Sequence, residues 1–361
     1  MTHIAAMPAH FQHSAPVIDL VPAVWLQTQT LEKFFVFNPA IVRFQERLLM
    51  VYRVDFGRGT SANTRAACAI CVLDEQLQVT PGSVVALSET IVDGGANHYD
   101  PRFLVMGNRL FVHYNNSWDT QPNQLFLVEI DPDRLAAKAP ARPLALDGPR
   151  QSIEKNWILF EHGGELFAIY QIDPHIVLHL EIDAPGAVRC RPVYRAEWET
   201  AHYTRRYGAP RGGSPPVRVG DSYVALFHSL TLPHRLTPAN PPPVVARLNR
   251  AGWFTTIKRW LRDRLDPLRY YGGVYSFAAT PPFAPTYLRP EPLLRPEREA
   301  RRLRATAAHL TPRRVVYPSG LVHLAPDRWL VSYGVHDERC VLRSFTDREL
   351  WGRSTTEMQA G

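Results

Sequence analysis

Five short polar residues open the same phrase at five places: Asn38, Asp100, Asn156, Ser214 and Ser319. Each is followed by an apolar run, a turn and a second apolar run that rises to an aromatic: Tyr52, Tyr114, Tyr170, Phe227 and Tyr333. The residues next to those aromatics are polar or small, among them Arg53, Asn115, Gln171, His228 and Gly334. Lys155 and Asp337 stand beside the same positions, and Tyr99, Trp157 and Tyr207 are close in sequence. Carboxylates, amides and cations with flat aromatic faces suit a hexose, whose vicinal hydroxyls need donors and acceptors and whose ring needs a platform. Breaking a glycosidic bond passes through an oxocarbenium-like state, and the leaving oxygen needs a proton from a neighbouring acid. Asp100 is the candidate acid or base. Asn38, Arg53, Tyr99, Lys155, Asn156, Tyr207, His228 and Asp337 are the candidate substrate-binding residues. Each has a plainer reading as well: Asp100 as a turn cap before a proline, Asp337 as a turn closer, Arg53 as a core ion pair, Lys155 as a solvated cation, His228 as a core histidine.

These residues can meet only if the phrase is a structural repeat. Recurrence at a fixed period is the mark of arrays and propellers, and three of the four steps are close to 60 residues. The length suits one four-stranded sheet per repeat, with insertions in the longer last step. The expected fold is therefore all-β, a five-bladed β-propeller with a small inserted amphipathic helix. The opening residues would converge at one end of its axis. The reading assigns residues 1–30 to a lead-in that supplies a closing strand, 31–350 to one propeller domain with helical insertions at about 250–268 and 295–305, and 351–361 to a tail.

Composition agrees with a turn-rich chain: 361 residues carry 32 prolines and 21 glycines. A chain of this size buries enough surface to need no disulfide or metal staple. Net charge is +7, mostly from arginine, which reflects either composition bias or an anionic partner such as phosphate, a nucleotide-sugar or a lipid surface. No basic run interleaved with aromatics follows the repeat, which argues against nucleic acid. Cys68 and Cys71 form a CxxC, but residues three apart on a strand point to opposite faces, so buried thiols are expected and no metal. The first residues lack a basic start followed by an apolar core, and no long apolar run is present. The expected location is cytoplasmic, or peripheral to the inner membrane face.

Two segments stand outside the repeat. From Trp253 to Leu268, apolar residues recur at helical spacing with Lys258, Arg259, Arg262 and Arg264 between them. This reads as a basic amphipathic helix, packed on the flank or making peripheral membrane contact. Glu297 to Arg304 is also helical in pattern. Before the fourth phrase, Arg205, Arg206 and Arg211 sit among glycines and are candidates for holding phosphate. No Gly-x-Ser-x-Gly elbow or phosphate-binding P-loop is present.

Together these motifs resemble glycoside hydrolase family 130, the β-mannoside phosphorylases with their hydrolase relatives and related β-mannosyltransferases. The matching residues are Asn38-Pro39, Tyr52-Arg53, Asp100-Pro101-Arg102, Lys155-Asn156, Gly213-Ser214-Pro215-Pro216 through His228, and Tyr333-Gly334 through Asp337. They span about residues 34 to 346. The resemblance implies a five-bladed propeller and inverting transfer of a mannosyl residue. One aspartic acid protonates the glycosidic oxygen while phosphate attacks the anomeric carbon, with no cofactor beyond phosphate or a nucleotide-sugar as co-substrate. A hydrolase would also need a base for water, for which Glu154 is the candidate, and a glycan-binding propeller without catalysis is the reading from another class. The sequence departs from the family pattern at Ser229 and His336.

Overall fold

In the computed structural model, the described residues are 11–27, 34–56, 65–93, 95, 97–116, 123–151, 153–231, 268–303 and 314–352. The chain is built from antiparallel strands, and they fall into five groups in chain order. The first holds Phe34–Phe44, Arg47–Phe56 and Arg65–Leu73. The second runs His98–Met106, Arg109–Asn116, Gln124–Asp131 and Arg142–Leu146. The third runs Ile158–His162, Glu165–Gln171, His175–Glu181 and Val188–Ala196. In the fourth, Pro210–Gly212 and Val217–Val219 pair with Ser222–Thr231, which is followed by Arg269–Ala278 and Pro285–Leu288. The fifth holds Val316–Ala325, Arg328–Val335 and Arg339–Phe345, and Gln12–His13 from the N-terminal stretch pairs with its outer strand. Parallel pairing of Val188–Cys190 with Leu144–Leu146 joins the second and third groups into one nine-stranded sheet.

The apolar clusters explain how the groups are arranged. Side chains alternate across a strand, and in Arg47–Phe56 both faces are buried. Leu48, Met50, Tyr52 and Val54 pack with Leu330 and Leu342 of the fifth group. Leu49 and Val51 pack with Phe103 and Val112 of the second. The same sharing joins the second group to the third, the third to the fourth and the fourth to the fifth. Each sheet is thus sandwiched between its neighbours, and the last returns to the first. That closure is why the strands read as nearly continuous apolar runs rather than as a half-wet alternation.

Helices are short. Ala201–Tyr207 precedes the fourth group, and Pro296–Leu303 lies before the fifth, where its buried Glu299 accepts from the Tyr333 hydroxyl at 2.6 Å. The basic segment 253–268 lies outside the described residues apart from Leu268. All four cysteines are buried and free.

Candidate functional site

The repeated polar residue turns out to sit in a repeated backbone device. In the first, second and fifth groups the pairing slips by one residue, between Phe37 and Ala40, between Tyr99 and Arg102, and between Pro318 and Gly320. One extra residue on the inner strand makes a β-bulge, which bends the strand and re-aims a side chain. Asn38 and Asp100 in two of these bulges both have φ 53°, and Asn156, at the matching place in the third group, has φ 66°. Left-handed backbone is tolerated by Asn and Asp far better than by bulky or branched residues. The choice of small polar residue is therefore partly conformational, and the chemistry is added to it.

The side chains around these bulges meet. Asp100 Oδ1 accepts from Asn38 Nδ2 at 2.9 Å and from an Arg53 terminal nitrogen at 3.3 Å. The Arg53 and Asp100 side chains are each 14% exposed. Arg53 is clamped from its other side by Asp55, at 2.6 and 3.1 Å, and lies over the rings of Phe37 and Tyr99. Burial disfavours the Arg53 charge, but Asp55, Asp100 and Asp337 outweigh it and raise its pKa. Asp337, in a turn of the fifth group with φ 56°, thus acts on the same guanidinium as Asp100. For Asp100, burial alone would raise the carboxyl. Arg53, the Asn38 hydrogen bond, Arg102 and Lys155 together reverse this and hold it below the usual carboxylate range.

A second set lies on the Asn156 side. Arg102 is fully buried and donates to the carbonyls of Gly212 and Gly213 and to the Tyr317 hydroxyl. That hydroxyl donates to Asn156 Oδ1 at 2.9 Å. His228 is buried, with its Nδ1 3.0 Å from the Gly212 carbonyl and its ring against Tyr317. The carbonyl fixes Nδ1 as the donor, which leaves Nε2 as an acceptor in the neutral ring. Burial, Arg102, Arg211 and Lys155 all push the His228 pKa well down, so it is neutral. Lys155, Asn156, Arg211 and Gly212 line a cavity of about 430 Å³ between the third and fourth groups. Asp100 is not part of its lining. Lys155 and Arg211 are exposed there, and neither makes an ion pair among the described residues. Two exposed cations without ion pairs are suited to an anion, and the one carboxylate in the lining, Asp173, accepts from the Thr200 hydroxyl.

No protein-family model and no curated protein matches the chain. Solved structures do match it. A β-1,2-mannobiose phosphorylase from Listeria innocua, in complex with β-1,2-mannobiose, is 13% identical with a TM-score of 0.57, over 95% of this chain and 98% of that one. A structure from the family 130 mannoside phosphorylases, a family that contains glycoside hydrolases targeting β-1,2-mannosidic linkages in Candida mannan, is 13% identical with a TM-score of 0.57, over 87% and 85%. A glycosyl hydrolase from Bacteroides ovatus is 12% identical with a TM-score of 0.56, over 87% and 85%. This is the fold of glycoside hydrolase family 130.

Within the family 130 fold, the sequence-derived candidates divide. Asn38, Arg53, Tyr99 and Asp100 are in one contact network, with Asp337 and Lys155 in electrostatic reach. Asn156, His228 and Arg211 form the neighbouring set. The structure does not bring Tyr207, Arg205 and Arg206 to either. Tyr207 is buried against Tyr203, and its hydroxyl is engaged by Glu291 and Arg295. Arg206 pairs with Glu291 at 3.5 Å, and Arg205 is exposed on the same helix. Gly212 and Gly213 are small because protein backbone crowds them. A Cβ on Gly212 would lie 1.9 Å from the Asn156 carbonyl oxygen, and one on Gly213 would lie 2.6 Å from that of Leu226. Glu154 is enclosed, accepting from the Gln151 backbone at 2.6 Å, the Tyr170 hydroxyl at 3.2 Å and the Trp157 indole at 3.4 Å. Three further residues belong to the site. Asp55 was legible as the same-face neighbour of Arg53 two positions on. Buried Arg102 entered the sequence reading only within the Asp100-Pro101-Arg102 run, and Tyr317 left no local signal, because both act across groups.

Proposed function

We propose that this protein is a carbohydrate-active enzyme that transfers a mannosyl or similar hexosyl residue with inversion, by phosphorolysis of a β-mannoside. The observation that carries the reading is Asp100. It is one nearly buried carboxylate, held in a left-handed bulge by Asn38 and Arg53, with Lys155 of the neighbouring cavity in electrostatic reach. The fold it shares with a β-1,2-mannobiose phosphorylase supports the substrate class.

Asp100 gives its proton to the glycosidic oxygen as the bond from that oxygen to the anomeric carbon breaks. A phosphate oxygen forms the new bond to the anomeric carbon from the opposite face. The products are the shortened alcohol and an α-configured sugar 1-phosphate. Asn38, Arg53 and Asp337 hold the sugar hydroxyls, with Tyr99 beneath Arg53. Lys155 and Arg211, with neutral His228 behind them, hold the phosphate. Only one carboxylate is needed, since phosphate is already a nucleophile. That fits a site in which Asp55 is committed to Arg53 and Glu154 to three hydrogen bonds, leaving neither to activate water.

The lowered pKa of Asp100 in the free protein fits the same scheme. A phosphate anion arriving nearby disfavours a second negative charge and raises the carboxyl pKa, so the acid form appears when the co-substrate binds. Incubation with β-linked mannobiose, with and without phosphate, tests the reading. Mannose 1-phosphate formed only with phosphate, and lost in Asp100→Asn, is the expected result. Free mannose without phosphate would make the protein a hydrolase, and nucleotide released from GDP-mannose would make it a transferase. Binding of mannosides with no turnover under any of these conditions would leave only a glycan-binding module.

A further inference from the structure

Charge is divided unevenly along the chain. Residues 201–314 hold 20 of the 41 lysines and arginines but only 6 of the 34 acidic residues, so that stretch is +14 and the rest of the chain is −7. Among the described residues of the stretch the imbalance persists, with 11 cations against 4 carboxylates. Apart from Arg218 and Asp221, in the turn before Ser222–Thr231, most of it lies at the end of the ring that carries the candidate site. Helix Ala201–Tyr207 leads into Pro210–Gly212, where Arg211 stands opposite His228. Arg269 stands opposite Thr231, three residues beyond His228. Helix Pro296–Leu303 is fastened by Glu299 to Tyr333, four residues before Asp337. Local carboxylates do not cancel the charge. Glu291 serves Arg206 and Arg295, Glu297 serves Arg269 at 3.1 Å and Arg314 at 3.5 Å, and Glu299 serves Arg302 at 3.2 Å and Arg343 at 3.4 Å. Three carboxylates thus face six arginines. Arg205, Arg298 and Arg301 are exposed and make no ion pair among the described residues.

We propose that this end of the ring docks on an anionic lipid surface, with Arg205, Arg298 and Arg301 against the headgroups. Clustered arginines are attracted by an anionic leaflet, and docking by this end turns the candidate site toward the surface. Lipid, rather than another polyanion, is argued from two observations. Tyr203 and Tyr207 are buried, which leaves helix Ala201–Tyr207 no exposed tyrosine on which a nucleic-acid base would stack. Residues 232–267 lie outside the described residues, but the chain leaves at Thr231 and returns at Leu268, beside these arginines. Their sequence intersperses Trp253, Phe254, Ile257, Trp260 and Leu261 with Lys258, Arg259, Arg262 and Arg264, the composition of an interfacial segment. The proposal concerns where the protein sits and rests on no step of the reaction above.

The test is co-sedimentation of the full chain with vesicles of phosphatidylcholine alone or mixed with phosphatidylglycerol. The wild-type protein should pellet with the anionic vesicles only, and added salt should release it. An arginine near an anionic leaflet contributes about fivefold in affinity, so Arg298→Gln combined with Arg301→Gln should lose on the order of 25-fold. Both side chains are exposed, so the fold should be kept, with circular dichroism as the check. Arg134→Gln, in the turn after Gln124–Asp131 at the opposite end of the ring, should bind as wild type. Equal pelleting with neutral vesicles, no pelleting with anionic ones, or a loss of the same size in Arg134→Gln would overturn the proposal. Retention on RNA or an acidic polysaccharide by a protein that leaves the vesicles unbound would also overturn it, and would make the partner a soluble polyanion.

Discussion

The bulge at Asp100 and the matching position at Asn156 have the same backbone and opposite chemistry. Both residues are in the left-handed region, φ 53° and 66°. Both open an inner strand at the same end of the ring. Asp100 meets Asn38 and Arg53 and is ionised in the free protein. Asn156 accepts from Tyr317 and stands next to Lys155, with Arg102 behind the hydroxyl. The comparison teaches that the repeat supplies the same left-handed backbone at Asn38, Asp100 and Asn156, and that one atom in the side chain decides whether a copy becomes an acid or a neutral acceptor among cations.

The most severe way to break the comparison is to make the two positions alike. Asp100→Asn keeps the left-handed tolerance and the shape, so the fold is expected to persist while turnover falls by roughly 10²- to 10⁴-fold, the range for a lost general acid. Steady-state kinetics on a β-mannoside with phosphate measure it, and a loss below tenfold would remove Asp100 from the reaction. The opposite change, Asn156→Asp, adds a carboxylate beside Lys155 and Arg102. The expected outcome is a KM for phosphate raised by about tenfold with a smaller change in kcat, because like charge opposes the anion. Restoring neither activity in the Asp100→Asn, Asn156→Asp double variant would confirm that the positions are not interchangeable.

Glycines facing the bulges give a third test, read as stability. A Cβ on Gly334 would lie 2.2 Å from Asn38 Oδ1 and 2.8 Å from its backbone nitrogen. Gly334→Ala is therefore expected to lower unfolding stability by about 1–3 kcal/mol, measured by urea denaturation. An unchanged midpoint would show that the Asn38 bulge yields easily.

The smallest expected effect concerns pH. Asn38 lowers the Asp100 pKa through its hydrogen bond, so Asn38→Ala raises it and keeps the acid form to higher pH. The descending limb of kcat/KM, which reports the free enzyme, then moves upward in pH. The same depressed pKa contributes stability that is present above the unfolded carboxylate range and is lost as pH falls through the folded value. Asn38→Ala should therefore lose some stability at neutral pH and show a weaker acid dependence. A pH profile identical to wild type would detach Asn38 from the Asp100 equilibrium.

Much of the fold was open to reading because the repeat is local. The second strands Arg47–Phe56, Arg109–Asn116 and Glu165–Gln171 carry the expected aromatics Tyr52, Tyr114 and Tyr170, since alternation and turn residues act over a few positions. The contact of Asn38, Arg53 and Asp100 was legible where a residue's own strand fixes its direction. Tyr207 and Arg206 show the limit. A tyrosine and an arginine near a glycine look like site residues in one dimension, but a short helix turns them toward Glu291 and Arg295. Glu154 is not a free base, because the Tyr170 hydroxyl from the next strand, the Trp157 indole and the Gln151 backbone close around its carboxylate.

The amino-acid sequence by itself determined the strands, their turns and the small polar residue at each bulge, because these follow from side-chain alternation and from which residues accept left-handed backbone. Tertiary structure alone decided that Asp100 faces Arg53 from another group, that Arg102 reaches Gly212, Gly213 and Tyr317, and that Lys155 and Arg211 line one cavity. Those pairings join residues some fifty or more positions apart. The charges of Arg53 and Asp100 interact strongly only when the ring closes and takes them largely out of water, where a Coulomb interaction is strong enough to set a protonation state.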